Sequence, residues 1–451
     1  MQGMSQSDLD ENDLIDIYDY ANDVNDEFIQ LEVILNAVRY YPESDELTQR
    51  RAYFLLDNLS MNESAEIMAK KHSHETALWD ILTLLIQHPD IETAEKGFTE
   101  ILHQYSGYDD ETIIQFVESA AELGLYDWLW SHKAEIQKRC EFPDTFLYEL
   151  SQEAYERSDF DHAVKALDEL TSSEPFNASY WHMLSQAYIH LDNYQEALQA
   201  IEYALAIEPT SADLLVTKAQ ILFDMKNNRK EAIDIILNLY ISNPDNSVVC
   251  HTLVAMNLIL NNVEEAQNVL SSYIMRHPDD AEAVEHSMML PDPAFSILCL
   301  KKYLKTTKLE EPEWMSWANS NFDNGNYRQC ADILLAWLYE NDSMPEWSKL
   351  IESLYRQNRI SEIVALYRNY VSNNILAVDP SALSLLLAVF IKTGNRSEAL
   401  TLANYIKYMD IDKIKRADRR VTALGTISIA RQVINSLNSG ADASEVFPCE
   451  L

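Results

Sequence analysis

The chain has 451 residues, 47% of them hydrophobic, with only 8 glycines and a formal net charge of −39 from 73 acidic against 34 basic residues. So much apolar material excludes a wholly disordered chain, and so few glycines at this length argue against a large β or α/β protein, which leaves an all-α fold. The negative field repels phosphate backbones, so nucleic acid and anionic membrane surfaces are poor partners.

Read from the start, the acids come first. No Lys or Arg precedes Arg39, while Asp8, Asp10, Glu11, Asp13, Asp16, Asp19, Asp23, Asp26 and Glu27 accumulate. Such a run is ordinarily a solvated face; its sharper reading is an electrostatic lure for a basic partner. Residues 1–143 read as divergent helical repeats. Leu14, Ile17, Ala21, Ile34, Val38 and Pro42 fit a helical pair beginning at Glu11, and further pairs follow around 45–72, 75–105 and 109–139, punctuated by Pro89 and Gly124. The five cysteines, Cys140, Cys250, Cys299, Cys330 and Cys449, are scattered and form no C-x-x-C pair, which fits reduced thiols in a cytoplasm. A basic-then-apolar leader and an apolar run of ~20 residues are both absent, so the expected location is cytoplasmic.

From residue 144 onward a regular beat appears. Pro175, Pro209, Pro244, Pro278, Pro312, Pro345 and Pro380 are separated by 34, 35, 34, 34, 33 and 35 residues. Proline is tolerated just after a helix or in its first turn and breaks it elsewhere, so each proline marks a junction between repeated units. In the stretch "YWHMLSQAYIHLDNYQEALQAIEYALAIEP", counted from Ala178, Trp181, Leu184, Tyr188, Ala197, Ile201, Ala204 and Pro209 occupy positions 4, 7, 11, 20, 24, 27 and 32, with small Ser185 at 8. Small residues at 8 and 20 let two helices approach closely while Trp, Leu and Tyr fill the space between them. Residues 144–177 place Leu147, Leu150, Ser151, Ala163, Leu167 and Pro175 in the same register, and residues 247–280 place Leu253, Ala266, Leu270, Tyr273 and Pro278 there.

These residues resemble the tetratricopeptide repeat, a helix–turn–helix unit with the pattern W-x-x-L-G-x-x-Y, A-x-x-x-F-x-x-A, P; the chain is most similar to acidic bacterial repeat proteins without assigned activity. The resemblance implies a right-handed α-solenoid of about 12 antiparallel helix pairs, with a C-terminal capping helix. The best-matched units span 144–280. The unit at 281–310 is degenerate, since "LPDP" at Leu290–Pro293 shortens its first helix, and either a bend or a local packing defect follows. Residues 311–408 regain the pattern in "GNYRQCADIL" and "TGNRSEALTL", with Trp314, Trp317 and Trp337 at packing positions. Residues 409–437 carry Lys413, Lys415, Arg416, Arg419 and Arg420 and read as a basic capping helix, and 438–451 as a disordered tail.

Catalytic and cofactor motifs are missing: the chain contains neither phosphate-loop nor dinucleotide glycine patterns, neither H-E-x-x-H nor G-x-S-x-G. His72, His74 and Glu75 have the makings of a metal grip, but solvated histidines in a charged loop are the commoner case; Cys250 beside His251 sits at packing position 4 and reads as a small hydrophobe. The expectation is therefore no cofactor, no metal and no enzymatic activity.

The resemblance instead directs attention to the groove lined by positions 2, 5, 9, 12 and 13 of each first helix. Position 5 gives Tyr148, His182, Val216 and His251; position 9 gives Gln152, Gln186 and Gln220, an amide ladder at a spacing of 34; positions 12 and 13 add Tyr155, Ile189, Phe223 and His190. Amides satisfy both donors and acceptors of an extended peptide, and the apolar neighbours seat its side chains. Glutamine is also simply a good helix former at polar positions. The Lys and Asn with which chaperone-tail-binding relatives grip a terminal carboxylate are absent from positions 5 and 9. The expected function is a protein-binding scaffold for a neutral or basic peptide or protein. The alternative is a regulatory or targeting subunit that self-associates through its basic C-terminal helix.

Overall fold

The computed structural model describes residues 10–407 except 25, 58–61, 73, 373–374, 376–377 and 379, together with 427–440 and 443. Among these residues the chain is all-α, with one isolated bridge between Tyr108 and Cys140. The described residues hold 25 α-helices, matching about twelve pairs and a final helix. No described helix is long and apolar enough to cross a membrane. The chain divides into two compact units, 1–232 and 233–451.

The first unit contains α1 (Glu11–Asp23), α2 (Glu27–Tyr40), α3 (Asp45–Asp57), α4 (Asn62–Lys71), α5 (Ala77–Gln87), α6 (Ile91–Gln104), α7 (Asp110–Glu122), α8 (Tyr126–Gln137), α9 (Pro143–Glu156), α10 (Phe160–Ser173), α11 (Ala178–His190), α12 (Tyr194–Ile207) and α13 (Ala212–Asp224). From α1 to α12 each odd-numbered helix packs on its even-numbered successor; α2, α4, α8, α10 and α12 pack in turn on the helix that follows, and α3, α5, α7 and α9 also touch in series, as do α11 and α13. This is a solenoid, in which a repeat meets only its neighbours. Part of the acidic excess does local work here. Asp10, Asp26, Asp90, Asp109 and Asp159 cap α1, α2, α6, α7 and α10, each side chain accepting a backbone N–H of the first turn. The repeat interior is built from Leu147, Ala154, Ala163, Ala166, Leu167, Leu170, Leu184 and Ala187, all buried. Small side chains at the crossing points set the close approach that the sequence pattern requires.

The turn inside each pair recurs as strictly as the prolines. Ser158, Asp192, Lys226 and Asn261 adopt left-handed backbone with φ of 57°, 57°, 56° and 60°. At Ser158 the amide donates to Tyr155 O and the next amide, of Asp159, to Ala154 O, and the pattern repeats at Asp192 and Asn261. These bonds satisfy the last carbonyls of the first helix while redirecting the chain.

The second unit begins inside α14 (Arg229–Ser242) and continues with α15 (Ser247–Ile259), α16 (Val263–Arg276), α17 (Ala281–Met289), α18 (Pro293–Thr307), α19 (Glu311–Asp323), α20 (Tyr327–Asn341), α21 (Trp347–Arg356), α22 (Ile360–Leu366), α23 (Pro380–Lys392) and α24 (Arg396–Ile406). A π-helical turn, Tyr367–Val371, extends α22. Proline cuts α17 to nine residues, and the pairing changes after it: α18 packs against α20. Helix α20 is then covered by α18, α19 and α21, and Cys330–Leu338 are buried without interruption. The final helix, Ile427–Ser439, packs on α24. The basic residues Lys413, Lys415, Arg416, Arg419 and Arg420 lie outside the described residues, as does most of 438–451.

Candidate functional site

The first helices of four consecutive pairs, α9, α11, α13 and α15, carry the residues singled out for the groove. Gln220 is exposed, and Gln152 and Gln186 are half-buried. Gln186 Nε2 lies 3.3 Å from His182 Nε2, and His182 Nε2 is 2.9 Å from Thr217 Oγ1. The Thr217 hydroxyl also lies 3.0 Å from Asp213 O, one turn back on α13. Burial holds His182 below its ordinary value, Asp213 opposing, and the ring is neutral at physiological pH. Two adjacent first helices, α11 and α13, are thus tied by a His–Thr bond at the base of the amide row.

The aromatic members fall into a second group. Tyr155 donates through its hydroxyl to Met183 O at 3.2 Å, and burial raises its pKa. His190 stacks on Phe160 with ring centroids 4.2 Å apart and planes 6° from parallel, and Tyr155 meets both rings edge-on. Tyr148 approaches Tyr180 at 6.2 Å, and Ile189 is half-buried.

Three expected groove residues are placed elsewhere. Val216 and Phe223 are each 5% exposed and His251 is 8% exposed, so none offers a side chain to a ligand in a groove. Phe223 is sealed under the Arg229 guanidinium, 4.8 Å from its ring centroid. His251 packs beneath the start of the next repeat, where its Nε2 meets Asp280 Oδ2 at 3.1 Å. Equal register gives equal direction from the helix axis, but the neighbouring side chains decide whether that direction reaches solvent.

One feature of this face was not anticipated from the sequence. Glu149 and Glu153 stand one residue beyond Tyr148 and Gln152 in the chain, and the Glu149 carboxyl is pushed up to about 7 by burial and by the charges of Glu118 and Glu153. In a chain of 73 acids a single half-buried pair of carboxylates gives no distinctive sequence signal. Elsewhere, His72 Nδ1 pairs with Glu75 Oε2 at 2.8 Å while His74 Nδ1 pairs with Asp80 Oδ2 at 3.1 Å, so the two histidines engage different carboxylates. Cys250 is fully buried and its thiol is pushed up to about 12 by that burial, as befits a packing residue.

Residues 148–212 match the tetratricopeptide repeat family. Similar folds include PilW, a widely conserved type IV pilus biogenesis factor, at 16% identity over 50% of this chain and 93% of that one, with a TM-score of 0.32. A tetratricopeptide repeat protein from Parabacteroides merdae matches at 13% identity over 65% and 98% of the two chains, TM-score 0.32. The tetratricopeptide domain of P58(IPK) matches at 12% identity over 77% and 97%, TM-score 0.22. Among curated proteins no sequence matches the chain.

Proposed function

We propose that this chain, a tetratricopeptide-repeat protein in its matched units, is a non-catalytic scaffold that holds a basic peptide or protein segment against α9, α11 and α13. The observation that supports this reading is the composition of that face: amides at Gln152, Gln186 and Gln220 beside a cluster of Glu118, Glu149 and Glu153 in which one carboxyl is held near neutrality. A Lys or Arg from a partner relieves the mutual repulsion of these acids, returning Glu149 toward its ordinary ionised state. The amide row satisfies the backbone of an extended segment, and Tyr148, Tyr155 and Ile189 border it. The surrounding net charge of −39 steers a basic partner toward the site and away from an acidic one.

The test uses an immobilised array of basic, neutral and acidic peptides. Basic peptides should bind best, and Gln152→Ala, Gln186→Ala and Gln220→Ala combined should weaken them at least tenfold. Glu149→Gln should reduce the gain in affinity between pH 6 and pH 8 that the wild type shows as Glu149 ionises. Equal binding by the triple variant and the wild type removes this face from the account.

A further inference from the structure

A different cluster lies in the second unit, on α15 and α17. His251 projects from α15, and Glu282 and His286 project from one face of α17, four residues apart and hence one helical turn from each other. One donor atom from each of the three lies within 4.8 Å of the other two. The rings of His251 and His286 are 5.4 Å apart between centroids, inclined by 45°. His251 is 8% exposed, and Nδ1 of both histidines is buried without a hydrogen-bond partner. Neither imidazole therefore has both of its nitrogens satisfied by protein. Buried polar atoms are nearly always paired, so two orphans on neighbouring rings call for an explanation.

We propose that His251, His286 and Glu282 form a binding site for a divalent transition-metal ion, best suited to Zn²⁺. Two imidazoles and one carboxylate are a donor set for zinc and its neighbours rather than for Ca²⁺ or Mg²⁺, which take oxygen ligands. Tetrahedral zinc holds its donors about 3.4 Å apart, so the cluster needs a contraction that the side chain of Glu282, 63% exposed, supplies by changing rotamer. That exposure is also the entry path for an ion from solvent. Burial and the neighbouring His251 hold His286 below its ordinary value, which leaves it neutral with a free lone pair.

The surroundings supply the orienting groups that metal histidines use. Asp280 Oδ2 accepts from His251 Nε2 at 3.1 Å and from the Tyr273 hydroxyl at 2.9 Å, while its Oδ1 caps α17 by accepting from Ala283 N at 2.9 Å. The carboxylate that starts the helix bearing Glu282 and His286 therefore also fixes the ring of His251. Glu282 Oε2 is itself 3.8 Å from His251 Nε2. An ion bound here would clasp the first helices of two successive repeats, adding to their packing without any catalytic step.

Co²⁺ titration of the full chain, in excess Mg²⁺ to occupy surface carboxylates, tests the site. One equivalent of Co²⁺ should give visible absorption of tetrahedral intensity, displaced by one equivalent of Zn²⁺, and Zn²⁺ should raise the unfolding temperature. His286→Gln and Glu282→Gln should each weaken Co²⁺ at least tenfold and remove the Zn²⁺-dependent thermal shift. Both residues are outside the fully buried core, so the variants keep the helical circular dichroism of the wild type. Absence of a saturable one-equivalent spectrum, or a spectrum that persists at unchanged affinity in both variants, overturns the assignment.

Discussion

Trp181 and Trp314 stand at the same position of their repeats, the fourth, yet the molecule uses them differently. Trp181, in the best-matched unit, is half-buried; it stacks on exposed Tyr203 at 4.6 Å, and its Nε1 donates to Pro175 O at 2.9 Å. Trp314, in a less regular unit, is wholly buried among Tyr303, Trp317 and Trp337, and its Nε1 donates to Ile333 O at 3.0 Å. The difference lies in the second helices. Along α12 only Ala197, Ala200, Ile201 and Ala204 are buried, a single stripe, whereas α20 is covered on several sides once the shortened α17 lets α18 pack against it. The consensus letter thus identifies the repeat, and the helix that lies over it determines how much the letter stabilises.

Two substitutions probe that contrast. Trp314→Ala should cost roughly 3–5 kcal/mol, from lost burial plus the cavity left behind, and hydrogen exchange should accelerate through α19 and α20. Trp181→Ala should cost about 1–2 kcal/mol, since much of that ring already touches water. Urea unfolding of both variants gives the comparison; equal losses would show that burial of α20 adds nothing to the fourth position.

The same covered helix contains Asp332, fully buried, whose Oδ1 accepts from Arg359 Nη1 at 3.1 Å. Burial raises the Asp332 pKa, and the Arg359 charge opposes the rise. A buried carboxyl whose folded pKa lies above its unfolded value binds its proton more tightly in the native state, so its contribution to stability is fullest below the unfolded value and declines as pH rises through the folded one. Arg359→Met removes the opposing charge and should cost about 3–5 kcal/mol at neutral pH, because an unpaired carboxylate is left in the core. The loss should shrink as pH falls below neutral and Asp332 gains its proton. Thermal melts across that range check the sign: a loss independent of pH would mean that Asp332 is already neutral in the wild type.

Much of this fold was legible in the sequence because repeats write their packing rules many times over. The prolines and the Trp, Leu, Tyr and Ala positions specify pairs of helices with small residues at the crossings, and a rule seen in several units overrides noise in one. The degenerate unit was legible as a departure, "LPDP" shortening α17, but its consequence was not, since the contact of α18 with α20 depends on what the chain does two helices later. The inner face was legible only in part. Gln152, Gln186 and Gln220 follow from register, while Val216, Phe223 and His251 occupy groove positions and are nonetheless buried. The His251, Glu282 and His286 cluster carries no motif, because its members lie on two helices separated by a full hairpin. Such spacing becomes informative only when the stacking of first helices is known.

The turn between paired helices shows how little a repeat asks of some positions. Gly325 and Lys226 both close such a turn, at φ of 79° and 56°. Glycine takes this conformation freely, whereas a side-chain-bearing residue there costs roughly 1–2 kcal/mol of steric strain. Lys226 therefore stores strain that the rest of its unit offsets by packing, which explains how a chain with 8 glycines still builds so many hairpins. Gly325→Ala should cost about 1–2 kcal/mol, although a methyl group at Gly325 would meet no atom within 4 Å, so the effect is purely conformational. Lys226→Gly runs the other way, and its gain is reduced by the greater freedom of glycine in the unfolded chain, for a net stabilisation of roughly 0.5–1 kcal/mol. Opposite signs in urea melts of these two variants would establish that the turn is specified by backbone direction alone; the same sign would show that the Lys226 side chain contributes contacts of its own.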